Sequence, residues 1–111
     1  MDPKRETALA RRLGKALADA RRRSALTQPQ VAERLGIGNE AISRIERGLI
    51  MPTVARLIEF AEIYDCNVSE LLVRSSDRPR DESTALGAAI EHLSPRDRAT
   101  VRALVEHLAG R

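Results

Sequence analysis

The stretch Leu26–Gly48, LTQPQVAERLGIGNEAISRIERG, leaves the chain few choices of fold. Thr27 is followed three residues later by Gln30, a capping box that starts a helix, and Pro29 falls in the first turn, where its missing amide hydrogen costs nothing. Val31, Ala32 and Leu35 share one face of that helix, and Gly36 supplies the left-handed residue that ends it. Ile37 is an apolar plug in the turn, and Gly38-Asn39 open a second short helix anchored by Ala41, Ile42 and Ile45 and closed by Gly48. The rest of the chain reads as support for them, or as the means of pairing them with a second copy.

Composition points the same way. Aromatic residues make up 2% of 111 residues, with one Tyr, one Phe and no Trp, against 42% apolar residues in all. The core must therefore come from Leu, Ile, Val and Ala, which favours packed helices, so the expected fold class is all-α. The length suits one domain, or one small domain with an appendage. A single cysteine, Cys66, has no partner for an internal disulfide or a metal site. Met1–Lys15 is charged throughout and reads as no secretory leader, and no apolar run approaches membrane-spanning length. A cytoplasmic protein with no membrane partner is the expectation.

Charge is unevenly spread. Residues 1–48 hold eleven Lys/Arg against six Asp/Glu, and residues 49–111 hold eight against ten, within an overall +3. A basic front half and a slightly acidic back half suit a nucleic-acid face joined to a protein-contact face, although an arginine-rich soluble helical protein would look similar.

Taken in order, Asp2-Pro3 starts a helix that carries Leu9, Leu13, Leu17 and Ala20 on one stripe and ends near Arg23. Arg21, Arg22 and Arg23 complement the dipole of its last turn. After the central pair, Thr53 caps a fourth helix to about Tyr64 with Val54, Leu57, Ile58, Ala61 and Ile63 inward. Asn67 and Glu70 form a second capping box before a short fifth helix holding Leu71 and Leu72. Arg74–Asp81 has no apolar periodicity and contains Pro79, so it reads as a linker. Beyond it, Leu86, Ala89, Ile90 and Leu93 form one stripe. Ser94-Pro95 then restarts a helix with Ala99, Val101, Leu104, Val105 and Leu108. The expected organisation is a domain over 1–73, a linker over 74–81 and a helical extension over 82–111.

At Leu26-Thr27-Gln28, Val31-Ala32, Leu35-Gly36-Ile37, Ile42-Ser43-Arg44-Ile45-Glu46-Arg47-Gly48, Pro52-Thr53 and Asn67-Val68-Ser69-Glu70-Leu71-Leu72 a family resemblance is carried by spacing as well as identity. Leu13–Leu72 resembles the helix-turn-helix domain of the Cro and lambda-repressor family, also called the xenobiotic-response-element family, of bacterial and phage regulators. The resemblance implies a five-helix bundle that binds duplex DNA as a homodimer, usually as a repressor. It also implies that Gln28, Asn39, Glu40 and Arg44 stand where DNA is commonly contacted, with Ser43 at a more variable position. Finally, it implies that Glu46 pairs with an Arg near the end of the first helix, here Arg21, to support the recognition helix.

The chemistry of those residues fits. Side chains near the amino end of a helix in the major groove reach base edges. Asn39 suits adenine, Arg44 guanine, and Glu40 a cytosine amino group. Gln28, at the start of the preceding helix, can hold a phosphate, and Arg47 at the far end of the recognition helix meets phosphate more readily than base. Bland readings compete: Thr27 and Gln30 are explained by capping, Asn39 by starting a helix, and Arg44 by a solvated pair with Glu40 one turn earlier. Three departures from the family pattern stand out. Ala25 replaces a Gly that commonly ends the first helix, Gly38 replaces a Ser or Thr cap, and the connection Leu49-Ile50-Met51 replaces one that often carries Lys or Arg.

His92 and His107 have no companions at metal-ligand spacing, and no phosphate loop or nucleophile–base pairing is visible, so neither a cofactor nor an enzyme is expected. The two C-terminal helices are the expected dimerisation or partner-binding element, with Ile50, Met51, Val68 and Leu72 as rival interface residues. Two other readings fit the same residues: an antitoxin that binds its toxin through the tail and represses its own operon, and a protein-bridging module with little DNA contact.

Overall fold

The computed structural model describes residues 1–110, apart from the side chain of Glu82; the last residue of the expected extension, Arg111, lies outside the described residues. The architecture is all-α: α1 (Pro3–Arg23), α2 (Gln28–Leu35), α3 (Asn39–Glu46), α4 (Val54–Ile63), α5 (Val68–Ser75), α6 (Pro79–Glu91) and α7 (Pro95–Ala109). No strand occurs among the described residues.

Local chemistry sets the helix ends. Asp2 Oδ1 accepts from the amides of Lys4 and Arg5 at 2.8 and 3.0 Å, and Pro3 opens α1. The Thr27–Gln30 capping box forms in both directions, at 3.3 Å to the Gln30 amide and 2.8 Å back to the Thr27 amide. Gly36 ends α2 with φ 68°. Ala25 ends α1 with φ 56°, a left-handed conformation that an L side chain adopts at a cost of about 1–2 kcal/mol.

Helices α1–α5 enclose one core of Leu13, Ala16, Leu17, Ala20, Val31, Ala32, Ile42, Ile45, Leu57, Phe60, Ala61, Tyr64 and Leu71. The rings of Phe60 and Tyr64 stack with centroids 5.9 Å apart. This corrects the inward set expected for α4, because Val54 and Ile58 are 70% and 45% exposed. The stripe 57, 60, 61, 64 carries both aromatic rings of the chain. Burying it turns Ile58 toward the adjoining surface and leaves Val54, at the first turn, beyond the edge of the core.

Two further expectations are corrected at α5. Asn67 makes no side-chain cap bond; the turn closes through backbone instead, Glu70 N donating to Asn67 O at 3.1 Å. The helix also runs past Val73 to Ser75, whose hydroxyl donates to Leu71 O at 2.6 Å and whose carbonyl accepts from Arg12 Nε at 2.6 Å. With Pro79 already opening α6, the non-helical stretch within Arg74–Asp81 is Ser76–Arg78 alone.

Helix α6 packs along α5. Ile90 and Leu93 are half-buried, whereas Leu86, on the same expected stripe, is 56% exposed. Helix α7, capped by Ser94 Oγ accepting from Asp97 N at 3.1 Å, buries no residue. The radius of gyration is 16.4 Å, against about 13 Å for a compact chain of this size. No helix of the described residues is long and apolar enough to cross a membrane.

Candidate nucleic-acid interface

The short helix α3 is held from behind. Its apolar anchors Ile42 and Ile45 are buried, and its carboxyl end meets α1 backbone to backbone. A Cβ at Gly14 of α1 would stand 2.5 Å from Ile45 O and 2.6 Å from Glu46 O, and one at Gly48 would stand 2.6 Å from Arg11 Cα. Only glycine allows this approach at either position, and Gly48 also needs its φ of 76°. Gly14 escaped the reading of the sequence. Its signal was present: a glycine in the middle of a 21-residue helix costs about 1 kcal/mol relative to alanine, so it invites a packing explanation.

Behind the same end of α3 lies a polar cluster. Arg21 grips Glu46 through two bonds, Nε to Oε2 at 2.7 Å and Nη2 to Oε1 at 3.1 Å, and its Nη1 donates to Leu26 O at 3.0 Å. Both side chains are largely withdrawn from solvent, at 12% and 7% exposure. The hydrogen bond to Glu46 pushes the Arg21 pKa further up and keeps it charged. Gln28 joins them, Nε2 donating to Glu46 Oε1 at 2.9 Å. One carboxylate thus ties α3 to both α1 and the first residue of α2. Nearby, the buried Tyr64 hydroxyl has no hydrogen-bond partner among the described residues, and burial first, then the Glu46 charge, pushes its pKa up.

The opposite face of α3 is open. Asn39, Glu40, Arg44 and Arg47 are exposed and Ser43 is half-buried. Glu40 and Arg44 pair one turn apart at 2.7 Å, with side chains 74% and 50% exposed, a solvated contact worth about 0.3–0.5 kcal/mol. Either side chain gives it up cheaply to a better partner. Arg47 Nε lies 3.4 Å from Ser43 O, a weak contact. Gly38 offers α3 no side-chain cap, so the amino end of the helix presents free backbone amides. The site residues expected from the sequence therefore fall into two groups: Asn39, Glu40, Ser43, Arg44 and Arg47 lie on one outward surface, and Arg21, Glu46 and Gln28 join behind it.

Elsewhere, no group of three or more His, Cys, Asp or Glu residues that could hold a metal occurs among the described residues. His92 lines a groove between α5 and α6 with Asn67, Glu70 and Arg74. Cys66 is half-buried, and burial pushes its thiol pKa up.

Two short helices, a glycine-ended turn between them, and a second helix clamped behind and polar in front define the motif. Residues 12–72, more than half of the chain, match the family described as helix-turn-helix domain. The chain belongs to that family. Among similar proteins, the HTH-type transcriptional regulator ImmR of Bacillus subtilis (strain 168) is 32% identical over 78 residues, 70% of this chain and 61% of ImmR. The uncharacterized HTH-type transcriptional regulator y4dJ of Sinorhizobium fredii is 34% identical over 67 residues, 60% of this chain and 87% of that protein. The chain thus spans less than two thirds of ImmR. The family match ends at Leu72, within α5 and before α6.

Proposed function

We propose that this helix-turn-helix protein is a sequence-specific DNA-binding transcriptional regulator of the Cro and lambda-repressor type. It acts as a repressor and binds a two-fold-related operator as a homodimer. The observation that carries the reading is α3 itself, an exposed polar face of Asn39, Glu40, Ser43, Arg44 and Arg47 on a helix held from behind by Arg21 and Glu46. A helix enters the major groove only if its angle is held, and it reads sequence only if its donors and acceptors are free to leave their own pairs. Both conditions are supported by the geometry.

In this reading Asn39 takes adenine edges, Arg44 guanine, and Glu40, released from Arg44, a cytosine amino group. Arg47 and the amino end of α2, with Gln28, meet phosphates. The apolar faces of α6 and α7 pair two copies so that the two α3 helices reach half-sites about 10 bp apart.

A gel-shift titration on duplex DNA across salt concentrations tests the reading. Each phosphate contact contributes a slope of about −0.9 in the logarithm of affinity against the logarithm of salt. A steep slope is the expected result. A flat one removes DNA from the function and leaves a protein-bridging module.

A further inference from the structure

Helix α1 starts at Pro3, whereas the family match starts at Arg12. Pro3–Arg11 is thus an overhang of about two and a half turns, roughly 13 Å, outside the matched domain. We propose that one face of this overhang, carrying Lys4 and Arg11, is a further contact surface for the DNA phosphate backbone, beyond the carboxyl end of α3. The proposal rests on the DNA-binding reading above and adds to it a surface that the helix-turn-helix domain does not supply.

Arg11 sits on the chain just past α3. A Cβ at Gly48 would stand 2.6 Å from Arg11 Cα and 2.8 Å from Arg11 Cγ, so the Arg11 stem runs across Gly48, the residue next to Arg47. Nearer the start of α1, Pro3, Thr7 and Ala10 line a groove with Gly48, Leu49 and Met51. The overhang therefore lies along the connection that leads away from the carboxyl end of α3. That connection, Leu49-Ile50-Met51, carries no cation of its own. The packed helix beside it brings them instead.

Charge is sorted around the overhang. Lys4 and Arg11 are both exposed, two turns apart on one face, and with Pro3, Thr7 and Ala8 they line a shallow groove. Thr7 Oγ1 donates to Pro3 O at 2.9 Å, so the groove's free donors are the Lys4 ammonium and the Arg11 guanidinium. Hydrogen bonds and ion pairs among the described residues engage Arg12 with Ser75, Arg21 with Glu46 and Arg22 with Asp19, and leave the side chains of Lys4 and Arg11 without a partner. Glu6, the one acidic residue between Pro3 and Arg11, lies toward Leu49 and Met51, outside the groove of Lys4 and Arg11. Two unpaired cations with small side chains between them take phosphates without breaking any bond inside the protein. Such contacts add affinity and fix orientation but carry no sequence information.

The experiment compares the full chain with a double variant, Lys4→Met with Arg11→Met, and with Arg5→Met. Methionine keeps an apolar stem against Gly48 and removes the charge. Arg5 is an exposed cation of the same overhang that lines a different groove, with Arg12, Ser76, Asp77 and Arg78. Each protein is titrated over a range of salt against a duplex enriched from a random pool. It is then titrated against copies of that duplex in which one phosphate at a time is replaced by an uncharged methylphosphonate. The double variant is expected to lower the salt slope by about 1.8 for each protomer bound, at about 0.9 per phosphate, and to keep the wild-type preference for the enriched sequence over a scrambled one. It is also expected to become indifferent to two phosphates in each half-site whose neutralisation weakens wild type. Arg5→Met is expected to keep the wild-type response at both. A double variant that responds at every phosphate wild type responds to would overturn the contact and reduce Lys4 and Arg11 to diffuse charge. Loss of the same two positions in Arg5→Met would overturn the assignment of the face. A wild-type protein with a flat slope and no response to any phosphate overturns the DNA-binding reading, and this surface with it.

Discussion

At the scale of single residues, chemically similar side chains on neighbouring turns have opposite duties. Glu40 and Glu46 are both glutamates of α3 hydrogen-bonded to an arginine, but Glu40 is 74% exposed in its pair and Glu46 only 7%. Glu46→Ala strands the Arg21 guanidinium and is expected to cost about 3–5 kcal/mol of stability in a denaturant titration. Arg44→Ala is expected to change stability by less than about 0.5 kcal/mol and to lose about 1–3 kcal/mol of base discrimination. Ala25 offers a gain. Its φ of 56° is a conformation glycine adopts freely, so Ala25→Gly is expected to raise stability by about 1 kcal/mol, read as a higher melting temperature, after allowing for the freer unfolded chain. No change or a fall would mean that the Ala25 side chain contributes packing that outweighs its backbone strain.

At the scale of elements, much of the fold was legible because helix ends are written in short-range chemistry. Asp2-Pro3, Thr27 with Gln30, Gly36, Thr53 and Ser94-Pro95 each mark a boundary that the structure places within a residue or two. What lay outside a local reading depended on which neighbour arrives. Asn67 has the composition of a cap but closes its turn through backbone, and α5 outlasts its apolar stripe because Arg12, 63 residues earlier, binds the Ser75 carbonyl. The inward set read for α4 included Val54 and Ile58 and left out Phe60, and only the packed neighbours select the stripe with Phe60 and Tyr64. Gln28 was legible as a polar residue at a helix start; its inward bond was not, since Glu46 lies 18 positions away. Glycines bring the same lesson to a test. Gly14→Ala drives a Cβ to 2.5 Å from a carbonyl oxygen of α3, whereas a Cβ at Gly87 in α6 meets nothing within 4 Å. Gly87→Ala is expected to stabilise by about 1 kcal/mol, as helix propensity alone dictates. Gly14→Ala is expected to destabilise by about 1–3 kcal/mol despite the same propensity gain. Similar melting temperatures for the two variants would contradict the backbone contact between α1 and α3.

At the scale of the whole molecule, a bundle of α1–α5 with its own core carries two further helices, of which α7 has no fully buried residue. Leu104, Val105 and Leu108 are 58%, 52% and 51% exposed on that helix, and Leu86 of α6 is 56% exposed. A stable interface buries about 800 Å² on each partner, more than one 15-residue helix offers from a single stripe, so the proposed homodimer draws on α6 as well as α7. Leu104→Asp with Leu108→Asp is therefore expected to convert dimer to monomer in sedimentation while leaving the melting of the α1–α5 bundle unchanged. A dimer that survives both changes would move the interface to the exposed Leu49-Ile50-Met51 connection. The measurement that tests the central claim most directly is selection of bound sites from a random duplex pool, run with wild type and Arg44→Ala side by side. The account predicts that wild type enriches a two-fold-related sequence with half-sites about 10 bp apart, and that Arg44→Ala loses the preference at one base pair in each half-site. A pool that stays random with wild type, or a preference that Arg44→Ala leaves intact at every position, would contradict it.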